Sequence, residues 1–191
     1  MSAYLYHMCA PDFRGTTLLP LDGLRDAYPD LYEREIAKYT GREAVLKFVV
    51  PGLGVTWGEA VNLSALNPAL LVEERRRLGV PFSNLLTRRI LRIPLDRIAH
   101  QKCVAYCATV HWANTAPNDS TAPQVPPLTD FAPFDVPSHR EPASVPPKHT
   151  EYLLRQQLRS EYALGFAFVP HVLVAAPIDI SRLQLLQLAE A

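Results

Sequence analysis

The stretch Glu59-Ala60-Val61-Asn62-Leu63-Ser64-Ala65-Leu66-Asn67-Pro68 decides the fold class. Its first eight residues have the length and apolar content of a strand. Asn67-Pro68 then starts a helix, with Asn as N-cap and proline at the first helical position, where no backbone N–H is needed. Leu70, Leu71, Glu74 and Leu78 follow, and Gly79 closes the helix. The helix carries Glu73 and Glu74 before Arg75, Arg76 and Arg77, the order the macrodipole favours. The three arginines therefore read as a solvated helix end.

Working outward, Ala3 to Met8 reads as a short central strand and Pro11 to Gly15 as a turn. Tyr28-Pro29-Asp30 opens a helix with Tyr32, Ile36 and Tyr39 on one face and a stop at Gly41. Val45 to Val50 is a candidate strand ended by Pro51-Gly52. Arg89 to Leu95 and residues 102–112 are two more. Thr150 is expected to cap a helix through Tyr162 with Leu154 and Leu158 inward, and Gly165 to Ala175 is apolar enough for a strand buried on both faces. Pro177 to Leu186 reads as a last strand or turn of helix. Strands and helices interleaved in this way make an α+β chain of split, mostly antiparallel sheets with flanking helices.

The 191 residues suit a single domain spanning 1–191, with 48% hydrophobic and 20% charged residues. Half of the 18 prolines lie between Pro117 and Pro147. This marks a Pro-rich insertion at about 115–147, where Phe131 and Phe134 can pin the excursion to the body. Acidic and basic residues balance at 19 each, so no global field attracts nucleic acid or anionic lipid. The opening residues lack a basic leader and no stretch reaches the ~20 apolar residues of a membrane span. The expectation is a cytoplasmic protein with no membrane partner.

Three constellations bear on chemistry. His100, Cys103, Cys107 and His111 have the residue types of a zinc quartet. A strand splays consecutive ligands apart, however, and a helix lines them along one stripe, so no metal is expected. His7 and Cys9 fall on one strand face, which matters for nucleophilic catalysis only if a third group orients the imidazole. The third is an ordered series: Tyr6-His7 ending a strand, Val61-Asn62-Leu63-Ser64 leading into a helix, Ile90 to Ile98 with Leu95-Asp96, and His171-Val172-Leu173-Val174 before Pro177-Ile178-Asp179-Ile180.

This series resembles the ADP-ribosyltransferase-like superfamily, which includes RNA 2′-phosphotransferases and DNA-modifying toxins. The whole chain is also similar to a family of uncharacterised bacterial proteins of comparable length, sharing the opening Tyr-Leu-Tyr-His, the Gly41-Arg42-Glu43 segment and an Ile-Pro-His type ending. The resemblance implies NAD or a related nucleotide as ligand and substrate. His7 would contact the nicotinamide ribose, and Ser64 would be the small hydroxyl residue near the nicotinamide. Asn62 stands where an aromatic residue is usual, with Tyr6 or Trp57 as substitutes for its stacking. His171 occupies the position of a catalytic glutamate, so His7 and His171 become the candidate catalytic pair, facing each other across one cleft. Arg14, just after the first strand, could pair with a phosphate. The acceptor of any ADP-ribose transfer would be a protein or a nucleic acid. A rival reading is a non-catalytic protein-interaction module, in which Pro123-Gln124-Val125-Pro126-Pro127 offers a polyproline II shape to a partner. A third is RNA binding through a stripe of Arg88, Arg89 and Arg92.

Overall fold

The computed structural model describes residues 3–41, 43–80, 88–107, 131–159 and 165–188. Nine strands and four α-helices are defined among them: β1 (Tyr4–Cys9), β2 (Thr17–Leu18), α1 (Leu21–Ala27), α2 (Pro29–Ile36), β3 (Val61–Ser64), α3 (Pro68–Leu78), β4 (Arg89–Pro94), β5 (Cys103–Cys107), β6 (Phe131–Pro133), α4 (Pro147–Leu158), β7 (Pro170–Val174), β8 (Ile178–Asp179) and β9 (Leu185–Gln187). Seven strands form one sheet in the order β6-β5-β7-β3-β1-β4-β9, while β2 and β8 pair separately. All pairings among the described residues are antiparallel. The fold is α+β, with a mostly antiparallel sheet and flanking helices.

The seven-stranded sheet has a seam. β1 registers against β4 through six pairs and β3 against β7 through four, whereas β1 and β3 share one, Tyr6↔Ser64. Because side chains alternate across a strand, the register chain Tyr6–Ser64–His171–Tyr106 lies on one face. Leu5, Cys9, Val61, Leu63, Leu91, Ile93, Val172 and Val174 lie on the other and form the main core with Phe13, Leu18 and Ile178.

The helix read from Asn67-Pro68 is present in detail. The Asn67 side chain accepts from the Ala69 N–H, and Gly79 ends the helix at φ 67°. Arg76 and Arg77 are solvated, but Arg75 is buried at 4% exposure. It sits on the inward stripe of α3 with Leu71 and Val72, a position that sequence charge order conceals.

Two other readings are corrected, and one helix is added. Val45 begins no strand: Glu43–Lys47 is a 3-10 turn, and only a bridge between Val49 and Thr56 is β-like. Before Tyr28, where no element was expected, Leu21–Ala27 forms a separate helix, α1. In α4 the buried residues are His149, Tyr152, Leu153 and Gln156, while Leu154 and Leu158 are exposed at 42% and 86%. The helix starts at Pro147 rather than at Thr150, and its inward stripe runs through His149, Tyr152, Leu153 and Gln156 instead of Leu154 and Leu158. Phe131 does pin the end of the insertion, stacking on Tyr106 at 5.1 Å, and Phe134 packs against the main core. No helix among the described residues is long and apolar enough to cross a membrane.

Candidate functional site

A cavity of about 180 Å³ opens beside the seam, lined among others by His7, Cys9, Glu35, Tyr39, Trp57 and Asn62. Its position follows from the register. Past Tyr6↔Ser64 the ladder between β1 and β3 ends, and the His7 side chain takes the place of a ladder bond: its Nδ1 lies 3.0 Å from the Asn62 carbonyl. A carbonyl can only accept, so Nδ1 carries the hydrogen and Nε2 of the neutral ring is an acceptor. Burial holds the imidazole below its usual pKa, partly offset by that bond to Asn62. At neutral pH His7 is therefore uncharged. Nε2 can therefore accept from a hydroxyl and cannot donate to one.

Cys9 lines the same cavity, and Asn62 supplies the group that orients the histidine. Even so, burial pushes the thiol up to about 12, far from the thiolate that nucleophilic catalysis needs. Glu35 and Tyr39, contributed by α2 and the 3-10 turn after it, were not found by sequence reading. Their signal was present, because Tyr32, Ile36 and Tyr39 mark the inward stripe and Glu35 flanks it. A carboxylate at such a border is nevertheless usually solvated.

The other predicted residues are dispersed. His171 pairs in register with Ser64 and so faces the opposite side of the sheet from His7. It does not line the cavity. Its ring contacts Tyr106 (6.3 Å) and Phe166 (5.6 Å), and Tyr106 in turn meets Trp57, a lining residue of the hollow, edge-on at 5.2 Å. Nδ1 donates to the Val169 carbonyl at 2.7 Å, and burial lowers the pKa to about 4. The expectation that His7 and His171 face each other across one cleft is thus overturned by strand alternation. Ser64 is 5% exposed and closes a local turn, donating to the Leu66 carbonyl (2.7 Å) and accepting its N–H (3.2 Å). Tyr6 is buried under Val72 of α3, and its hydroxyl donates to Glu141 at 2.5 Å. Asn62 lines the cavity, and its carbonyl is the one His7 contacts.

Arg14 lies in a second hollow of about 400 Å³, with Asp12, Tyr28 and Arg34. Phe13 and Leu31 wall both hollows, so the two adjoin. Arg34 is committed to Asp12 by two 2.9 Å bonds. Arg14 is exposed, donates to the Phe13 carbonyl, and forms no ion pair among the described residues.

Among the described residues no cluster could hold a metal ion; His111 of the Cys/His series lies outside them. So does the run Pro123 to Pro127. The arginine stripe is dispersed as well: Arg88 approaches Glu35 at 4.0 Å, Arg89 donates to the Pro11 carbonyl, and Arg92 stacks 4.0 Å over Tyr4. Compared with known protein families, curated proteins and solved structures, the chain matches none.

Proposed function

We propose that this chain binds NAD or a related nucleotide in an ADP-ribosyltransferase-like fold, with the ring end in the cavity beside His7 and the phosphates toward Arg14. The observation that carries this reading is the pair of adjoining hollows. One is an apolar slot with a neutral histidine, placed where the central sheet parts. The other holds an arginine free of ion pairs among the described residues. Neither the first hollow's 180 Å³ nor a drug-sized pocket's usual ~300 Å³ lower bound suits a whole dinucleotide, so the first hollow accounts for one ring and the second for what is attached to it. The order of the four sequence motifs supports the same reading.

His171 has no part in the proposal. A reacting ribose beside His7 lies on the other side of the sheet, so the reading is one of binding, with or without turnover. Calorimetry with NAD, ADP-ribose and nicotinamide is the test. His7→Ala and Arg14→Ala should each weaken NAD about tenfold or more, while His171→Phe leaves it unchanged. NAD affinity equal in wild type and His7→Ala rules the site out. Release of nicotinamide in the presence of a protein or nucleic-acid acceptor is the separate measurement that decides whether ADP-ribose is transferred.

A further inference from the structure

The polar groups around the His7 cavity are unevenly divided between donors and acceptors. His7 has committed its Nδ1 hydrogen to the Asn62 carbonyl, which leaves Nε2 as a lone pair. Glu35 lines the cavity from α2. It receives Lys38 Nζ on one oxygen and stands 4.0 Å from Arg88 on the other, yet a carboxylate has about four acceptor positions, so capacity remains. Lys38 and Arg88 are not among the lining residues. The Trp57 indole N–H is spent on the Tyr39 hydroxyl at 3.2 Å, so among these lining groups the Tyr39 O–H is the donor set against several acceptor positions. Much of the remaining lining is aliphatic, including Leu18, Leu24, Leu31 and Ala60.

We propose, resting on the nucleotide reading above, that Glu35 and His7 act as paired acceptors that select a flat ring bearing hydrogen-bond donors, a carboxamide or an amine, over the same ring bearing a carboxylate. An amide N–H can add a donor to Glu35 and to the His7 Nε2 lone pair, where acceptor positions outnumber donors among the described lining residues. A carboxylate brings a second anion toward Glu35 and faces the Nε2 lone pair with another lone pair, on a lining that is largely apolar. Sites built to meet a donor discriminate strongly against the analogue that lacks it.

The experiment is calorimetry of the full chain with nicotinamide, nicotinate and NAD. Nicotinate should bind on the order of a hundredfold more weakly than nicotinamide. Glu35→Gln, which keeps the side chain's size and one acceptor oxygen, should narrow that ratio about tenfold. Lys38→Met removes the ion-pair partner outside the cavity and should leave the ratio intact or widen it. Equal affinity for amide and acid, or a ratio unmoved by Glu35→Gln, overturns this proposal while NAD binding keeps the nucleotide reading alive. Failure of all three compounds to bind removes both.

Discussion

Three of the buried or half-buried histidines, His7, His149 and His171, have surroundings that differ in kind. His7 borders a hollow, with one ring nitrogen fixed by Asn62 and the other left as an acceptor. On the opposite face of the sheet His171 is wedged between Tyr106 and Phe166. His149 is fully buried with Nδ1 at 2.6 Å from the Ala167 carbonyl. Arg75 and Glu74 of α3 flank His149 electrostatically, and Thr150 of α4 reaches Glu74 at 2.5 Å. All three imidazoles are held below their ordinary pKa, and burial is the main cause each time. A lowered histidine pKa therefore does not mark a site here. What distinguishes His7 is the space beside it, which exists because β1 and β3 stop pairing after one residue pair.

The contrast can be broken most strongly on the packed side. Leu153 of α4 is fully buried, and Leu153→Ala should cost about 2–5 kcal/mol of unfolding free energy in a urea titration. A loss below 1 kcal/mol would mean that α4 does not seal this face. Enlarging a small residue compares the two regions directly. Ala167→Leu in the cluster around Tyr152 should cost about 1–3 kcal/mol, whereas Ala10→Leu at the wall of the hollow should be nearly neutral in stability yet abolish ligand binding. Equal destabilisation by both variants would show that the hollow is filled in solution.

Acidification gives a graded comparison. The folded pKa values of His7, His149 and His171 lie below 6.5, so the unfolded chain binds more protons than the folded one as pH falls from about 6.5 toward 4. Stability should therefore drop across that window and be regained as pH rises through it. His171→Phe removes one contributor and should flatten the pH dependence between pH 7 and 5, measured by denaturant titration at each pH; an unchanged slope contradicts the burial described for His171. The smallest effects concern α3 and α4 ends. Asn67→Ala removes the cap on Ala69 and should cost about 1 kcal/mol. Leu158→Ala, at 86% exposure, should move stability by less than about 0.5 kcal/mol, despite the sequence pattern that assigned Leu158 to the core.

These particulars separate what was legible in the chain from what was not. The helix after Asn67-Pro68, the strands around Tyr6, Leu63, Leu91 and Leu173, and the anchoring role of Phe131 follow from local chemistry: caps, φ-restricted proline, alternation and aromatic content. Of the candidate site, His7 and the neighbourhood of Arg14 were legible from position along the chain. Glu35 was not, because a carboxylate beside an amphipathic stripe looks like any solvated charge until the opposing wall is known.

The sequence by itself determined the α+β class, most of the strands and the start of the principal helix, since each depends on interactions within a few residues. Only the tertiary structure decided which face each histidine occupies and where the hollow lies. A strand's side chains reverse sides with every residue, so the shift of one position between His7 and Tyr6, set against the register Tyr6–Ser64–His171, sends two similar residues to opposite environments. Pairing between segments more than a hundred residues apart fixes that register, and no local pattern encodes it.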